Sequence, residues 1–408
     1  MKNKLKVLYG LPEKVIFCKK TLISNQRPAS SIEFLNNVGS KKKTVHIDKN
    51  HISDPWKYSR KKMKINYEDR EKKLLKLLSK HRGKYGKYDC VVPGSGGKDS
   101  CYAAHVLKHK YGMSPLTVTW PPILYTKYGK ENYINWLKSG NFRNITPKRN
   151  EELMKFLTKK SIENLFHPFQ TFILGQKNFP IQTALKHKIP LVFYGENEAE
   201  HGNNLGDNLV SLRNDSYHTY SNLDKLFLAG ISYNDLIIKY KFKKKDLDIF
   251  LPPKINDFKS SNVEVHYLGY YLKWIPQETF YYSVKNCNFK PRPFRTEGTY
   301  SKYNSIDDKI DDFHYYTTFI KFGIGRATYD VSQEIRNNHL NIEEGKKLIK
   351  KYDGELPSRY FREVLDYIKM KPSNFHKLTD KFRSPHLWKK TLNGWKLRHT
   401  VNKDGVDD

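Results

Sequence analysis

The first clear helical period along the chain falls at Glu68 to His81, where Leu74, Leu75, Leu77 and Leu78 gather on one side and charges lie opposite. Upstream, to about Tyr67, the pattern is irregular and polar, with turn signals at Asn36-Asn37-Val38-Gly39 and Ser53-Asp54-Pro55. Downstream, short apolar runs alternate with helical ones. Tyr88-Asp-Cys-Val-Val-Pro93 predicts a strand, and Asp99 to Tyr111 a helix stopped by Gly112, a residue that takes the left-handed cap easily. Leu116-Thr-Val-Thr-Trp120 predicts a second strand, closed by Pro121-Pro122. Glu131 to Lys138 reads as helix and Phe142-Arg-Asn-Ile-Thr146 as a third strand. Helical periods follow at Glu151 to Leu165 and Lys177 to His187, then a strand at Ile189 to Tyr194 that ends in Gly195-Glu196-Asn197.

Strands and helices alternating at this spacing predict an α/β fold, a doubly wound, mostly parallel sheet with helices on both faces. Past Gly202 the alternation breaks. Asn203 to about Asn262 is polar and Lys-rich, Val263 to Trp274 predicts one more strand with its exit, and Asp307 to Thr400 reads mainly as helices punctuated by Pro357, Pro372 and Pro385. The expected organisation is an N-terminal unit over 1–80, a nucleotide-type core over 81–205, an insertion or lid over 206–262, and a mainly helical substrate part over 263–408.

Composition narrows the picture. With 38% hydrophobic and 14% aromatic residues in 408, a packed core is expected rather than disorder. No run of about 18 apolar residues exists, so no membrane span is expected. The apolar stretch near Met1 is too short for a signal peptide. Four cysteines make no disulfide framework, which points to a reducing cytoplasm. The net charge of +32 would suit a polyanion, but the basic runs at Lys41–Lys43, Arg60–Lys62 and Lys243–Lys245 are short, scattered and not interleaved with aromatics. A nucleic-acid partner is therefore not expected.

The chemistry starts at Gly94-Ser-Gly-Gly-Lys-Asp-Ser100, between the first strand and its helix. Glycines there let the backbone turn sharply and come close to an anion, and successive N–H groups with the helix start point at it. Lys98 adds a point charge, while Ser95 and Ser100 add hydroxyls. A Walker loop ending in Gly97-Lys98 would need glycine at Val92 and Ser or Thr at Asp99; a dinucleotide fingerprint from Gly94 and Gly96 would need glycine at Asp99. Both fail. The string that fits is Ser-Gly-Gly-x-Asp-Ser, and it resembles the loop of the ATP pyrophosphatases at every position. That likeness implies ATP and Mg²⁺ as cofactors, with Ser95, Gly96, Gly97, Lys98, Asp99 and Ser100 at the phosphates and Lys98 and Asp99 catalytic. Thr119, ending the second strand, is expected at the nucleotide. Ligands of open parallel sheets lie beyond the carboxyl ends of the strands, so the acidic edge Gly195-Glu196-Asn197-Glu198 is expected to join Asp99 in holding Mg²⁺ through Glu196 and Glu198.

A longer set of segments is similar to the N-acetyl sugar amidotransferases, the WbpG-type and pseudaminic-acid-type enzymes of bacterial surface-glycan synthesis. It comprises Val15 to Phe34 with Ile23-Ser-Asn-Gln-Arg-Pro-Ala-Ser-Ser-Ile-Glu-Phe34, Asp89 to Trp120, Asn164-Leu-Phe-His-Pro-Phe-Gln170, Leu191 to Asn203, Val263 to Glu278, Phe319-Ile-Lys-Phe-Gly-Ile-Gly-Arg-Ala-Thr328 and Tyr352 to Tyr367. The resemblance implies adenylation of an N-acetyl carbonyl on a nucleotide-linked or nonulosonic sugar, followed by displacement of AMP by ammonia to leave an acetamidino group. His167, Gln170, Lys321 and Arg326 are candidates for holding that N-acetylated sugar. Family members carry two Cys-x-x-Cys pairs that form a zinc site; here the pairs read Cys18-Lys-Lys-Thr21 and Ser53-Asp-Pro-Trp56, so no zinc is expected. No cysteine pattern suits a glutaminase, which implies ammonia from a separate glutaminase and channel pair resembling the two halves of imidazole-glycerol-phosphate synthase. The competing readings are a tRNA-modifying enzyme with the same loop, and a degenerate binding subunit.

Overall fold

The computed structural model describes residues 5–84, 86–195 and 210–401. In chain order it has α1 (Asp54–Lys62), α2 (Tyr67–His81), β1 (Cys90–Pro93), α3 (Lys98–His109), β2 (Pro115–Val118), α4 (Lys127–Ser139), β3 (Asn144–Ile145), α5 (Glu151–Lys160), α6 (Gln170–His187) and β4 (Leu191–Tyr194). The second half adds β5 (Phe227–Leu228), β6 (Ile231–Ser232), α7 (Tyr233–Ile238), α8 (Lys244–Asp248), α9 (Ile255–Lys259), β7 (Glu264–Tyr267), α10 (Leu268–Tyr271) and α11 (Pro276–Cys287). Then come α12 (Asp311–Phe322), α13 (Arg326–Arg336), α14 (Ile342–Tyr352), α15 (Phe361–Tyr367), α16 (Pro372–Lys381), β8 (Trp388–Thr391) and β9 (Gly394–Leu397). Among the described residues no helix is long and apolar enough to cross a membrane.

The main sheet runs β3-β2-β1-β4-β7, every pair parallel. Successive strand side chains point to opposite faces, and both faces here are covered. Cys90, Val92, Leu191 and Phe193 turn toward a core shared with Leu74 and Leu78 of α2, Cys101 and Ala104 of α3, and Trp274. Val91, Leu116, Val118, Val192 and Val265 turn toward Ile181 and Ala184 of α6 and Phe258. This is the doubly wound α/β architecture, and two-sided burial explains why β1 and β4 read as unbroken apolar runs. The C-terminal region is mainly helical.

Some elements differ from the sequence-based expectation. α6 starts at Gln170, seven residues before Lys177, because that helix is buried on several sides and offers no polar face to set a period. Gly175 lets the Trp120 ring lie against it, and Pro180 sits inside. α1 rises within a stretch expected to be irregular, with Pro55 in its first turn. The β8–β9 hairpin turns through Leu392 and Asn393, with Gly394 at φ +94° directly after, inside a segment expected to be helical. Of 206–262, the described part packs Leu226, Leu228, Tyr233, Leu236, Leu247 and Phe250 into the largest core.

In the N-terminal unit the four positions at which the resembled family carries cysteine make other contacts. Cys18 is buried, and its Sγ accepts the Ser53 N–H at 3.3 Å; the Thr21 and Ser53 hydroxyls lie 3.4 Å apart. Trp56, at the fourth position, stacks under the Arg60 guanidinium at 4.1 Å. One thiol and two hydroxyls are a poor donor set for zinc, and no cluster of three His, Cys, Asp or Glu suited to a metal occurs among the described residues. Elemental analysis of purified protein should therefore return well under one zinc per chain, and a chelator should leave the thermal midpoint unchanged. One equivalent of zinc, released with a falling midpoint, would place the ligands elsewhere.

Candidate functional site

β1 delivers the chain to Gly94, whose N–H bonds Val118 O of β2 at 2.9 Å. Two glycines make the following turn possible. A Cβ on Gly94 would lie 2.3 Å from Ser100 Cβ, and one on Gly96, at φ +87°, would lie 2.6 Å from the Tyr133 backbone of α4. Gly97 differs: a Cβ there would meet nothing within 4 Å, since it faces open space. Helix bonding begins with Cys101 N–H to Gly97 O, which leaves the first-turn amides of α3 facing outward.

α11 fixes this turn from behind. The Ser283 hydroxyl donates to Lys98 O at 2.7 Å, and the Thr279 hydroxyl reaches Asp99 Oδ1 at 3.4 Å. Lys98 Nζ pairs with Asp99 Oδ2 at 2.6 Å, the lysine buried and the carboxylate a third exposed.

Three cavities meet here, and all are lined by Gly97 and Asp99. One of about 300 Å³ opens over the strand ends, between Ser95, Ser100, Val118, Trp120, Tyr194 and Arg213. A second, about 260 Å³, is bounded by Lys98, Arg27 of the N-terminal unit, and Tyr303, Arg326, Asp330 and Arg336 of the C-terminal part. The third, about 310 Å³, has Ser95, Phe169 and Phe172 with Asp307, Asp308 and Asp311 in its walls. Arg326 pairs with Asp330 at 2.8 Å and donates to the Tyr315 hydroxyl at 2.9 Å. Burial works against its charge, and Asp330, Tyr315 and Asp311 more than offset that.

The loop residues Ser95, Gly96, Gly97, Lys98, Asp99 and Ser100 thus share one site with Arg326. Glu196 and Glu198 fall outside the described residues. Four candidates are placed otherwise. Thr119 is buried and turns its hydroxyl to Asn144 Oδ1 at 3.1 Å, leaving its neighbours Val118 and Trp120 in the cavity wall. Gln170, a candidate for the sugar, is fully buried, donating to Glu33 O and accepting from Ala229 N–H, so its amide bridges segments of the core. Lys321, also a candidate for the sugar, turns inward and lines none of these cavities. Its Nζ donates to Leu165 O at 2.6 Å amid the rings of Tyr9, Phe322 and Phe382, and burial holds its pKa down to about 7. His167 stacks on His314 at 4.9 Å, outside these cavities, and burial pushes its pKa well below the usual imidazole value. Sequence pattern marks solvated and buried lysines alike, so a lysine beside the Gly323-Ile-Gly325 turn reads as available to an anionic sugar whether or not it faces one.

Residues that sequence reasoning missed include Arg27, Arg213, Tyr303, Asp307 and Asp311. The doubled carboxylates of Asp307-Asp308-Lys309-Ile310-Asp311-Asp312 are visible in the chain, but along the sequence they only open a stretch that reads mainly as helices.

Residues 297–402, which include Tyr303, Asp307, Asp311 and Arg326, match the family model described as LPS biosynthesis protein WbpG-like, C-terminal domain. An uncharacterized protein of Methanocaldococcus jannaschii is 36% identical over 73 residues, 18% of this chain and 26% of its own length. The chain thus spans about a quarter of that curated relative. Two solved structures align more loosely. NMN synthetase from Francisella tularensis has TM-score 0.25 and 15% identity, over 52% of this chain and 99% of that one. The U34-tRNA thiolase NcsA from Methanococcus maripaludis has TM-score 0.27 and 14% identity, over 74% and 89%.

Two substitutions test these placements. Gly96→Ala forces a Cβ against the Tyr133 backbone at positive φ, so the loop must move; urea unfolding should show a loss of about 1–3 kcal/mol. Lys321 has a folded pKa of about 7, below its ordinary 10.5. Unfolding takes up a proton between those values, so this group makes stability rise with pH across that window. In Lys321→Met that contribution vanishes, and the variant should compare best with the parent at or below pH 7. Urea midpoints near pH 6.5 and 9.5 measure it; a pH-independent difference would mean a solvated lysine.

Proposed function

We propose that this chain is an ATP pyrophosphatase-type amidotransferase that adenylates the carbonyl oxygen of an N-acetylated, anionic sugar and lets ammonia displace AMP. The observation that carries this reading is the meeting of a strand-end cavity and a cationic cavity across one glycine-cradled helix start. In such a site ATP lies over the strand ends, its adenosine side toward Val118, Trp120, Tyr194 and Arg213. Its phosphates reach the first-turn amides of α3, with Lys98 adding a donor and a charge.

Asp99 suits Mg²⁺: its carboxylate borders all three cavities and is fixed by Lys98 and Thr279. A bound Mg²⁺ would neutralise charge on the phosphates and the departing pyrophosphate. The cationic cavity, with Arg27, Arg326 and Arg336, suits a sugar bearing a carboxylate or diphosphate, and it sets the N-acetyl oxygen next to the phosphate loop. The oxygen attacks the α-phosphorus and pyrophosphate leaves. An amide oxygen is a poor leaving group; adenylation turns it into AMP, a good one. The protein's task is then positioning and charge stabilisation. Ammonia would come from a separate glutaminase protein.

Lys98→Ala and Asp99→Ala should each cut sugar-dependent AMP formation by on the order of a hundredfold or more while the fold stays intact by circular dichroism. Arg326→Ala should chiefly raise the KM for the sugar. Products should be AMP and pyrophosphate. Release of ADP and phosphate would end the assignment, and consumption of RNA in place of a sugar would transfer it to tRNA modification.

A further inference from the structure

Adenylation leaves the third cavity without a task. One side is the phosphate loop, at Ser95, Gly97 and Asp99; another is apolar, at Phe169, Phe172 and Ile173; the carboxylates of Asp307, Asp308 and Asp311 complete it. Asp308 is occupied structurally. It accepts N–H groups of Ile123, Leu124 and Ile310 at 2.5, 3.2 and 3.0 Å, tying the chain after β2 to the start of α12, although burial still pushes its carboxyl up to about 7. Burial raises the Asp307 pKa, and the neighbouring Ser95 hydroxyl works against that by favouring its charge. Asp311 differs from both: it is only 9% exposed and its Oδ2 has no hydrogen-bond partner.

The charges around Asp311 sharpen the contrast. Burial, then Asp307, Asp308 and Asp312, push its pKa well up, with Arg292 opposing. Arg292 commits one of its nitrogens to the Thr296 hydroxyl and Ser305 O, and Arg326 commits donors to Asp330 and Tyr315. A buried carboxylate oxygen without a donor is costly and calls for a ligand that brings one.

We infer that this cavity is the ammonium port of the enzyme: it binds NH₄⁺ against Asp307 and Asp311, Asp311 accepts one proton, and ammonia passes to the activated carbon in the adjoining cavity. Tyr303 and Ser305 line both cavities, as do Gly97 and Asp99, so the two share a wall at the phosphate loop. Mg²⁺ sheds its water reluctantly and demands an octahedron of oxygens, which a lining with three phenylalanines and two isoleucines does not provide. Ammonium offers four donors, and once neutral it loses little beside apolar side chains.

The step balances. NH₄⁺ gives one proton to the Asp311 carboxylate. The ammonia lone pair forms a C–N bond to the O-adenylated N-acetyl carbon. The adduct then sheds one N–H proton to solvent as the C–O bond breaks, its electron pair leaving with AMP, and an amidinium remains. The inference rests on the proposed function, yet one of its tests does not.

Thallous ion mimics ammonium in size and charge and is visible by anomalous scattering. Crystals of the full chain soaked in a thallous salt should show a peak between Asp307 and Asp311, absent in Asp311→Asn. In solution, Asp311→Asn should raise the KM for ammonium on the order of tenfold or more while the KM for ATP holds, the loss expected for one charge-assisted contact. Absence of the thallium peak in the parent protein would overturn the port, as would an unchanged ammonium KM. A peak in a protein that makes no amidine from ammonium would leave the port standing and bring down the amidotransferase reading instead.

Discussion

The arrangement depends on how the first turn of α3 is held. Its outward side has to stay bare, because an anion site made of backbone N–H groups works only if no side chain covers it. The turn must therefore be fixed entirely from behind. Ser283 and Thr279 of α11 hold Lys98 and Asp99, the Ser100 hydroxyl bonds Gly97 O at 2.9 Å, and Gly94 and Gly96 let Trp136 and the Tyr133 backbone close in. Each such hydrogen bond adds about 1 kcal/mol net. Their larger effect is geometric, since together they leave the loop one conformation. α11 lies almost two hundred residues downstream of α3, so the second half of the chain completes a site begun in the first.

Charge follows the same division of labour. Buried ionisable groups in this protein either sit deep in the packing or line the cavities. Lys321 belongs to the first kind, its amine enclosed by three rings and a carbonyl, and so does Asp353, which receives the N–H groups of Gly325 and Thr328 that start α13. By that bond Asp353 fixes the position of Arg326, which begins α13 and reaches the cationic cavity. Asp311 heads α12 in a comparable way and borders the cavity beside the loop. The WbpG-like segment thus gives the loop before α3 both an arginine wall and a carboxylate wall, and the two walls meet at Tyr303 and Ser305.

The N-terminal unit is held by small polar contacts and by its seat against the C-terminal part. Cys18, Thr21 and Ser53 converge through an N–H···S contact and paired hydroxyls, and Arg60 covers Trp56 while its guanidinium donates to Arg336 O of α13. This unit also supplies Arg27, stacked 4.5 Å over Tyr329, to the cationic cavity. Its anchorage therefore bears on the site.

The parallel sheet and the glycine-rich turn between β1 and α3 were legible along the chain, because both are local. Apolar runs of strand length, helical periods and the spacing of Gly94, Gly96, Gly97, Lys98 and Asp99 need only neighbouring residues to be read. The chain also held the Leu392-Asn393 hairpin turn and the doubled aspartates near α12, whose meaning depends on where they land. Only the tertiary structure decided that Gln170 and Lys321 face inward, that α6 begins at Gln170, and that Arg27, Arg326, Asp307 and Asp311 meet at one loop. The physical reason is that orientation and convergence come from long-range packing. A lysine on a surface and one enclosed by Tyr9, Phe322 and Phe382 look the same along a chain, and they differ only once those rings are brought together.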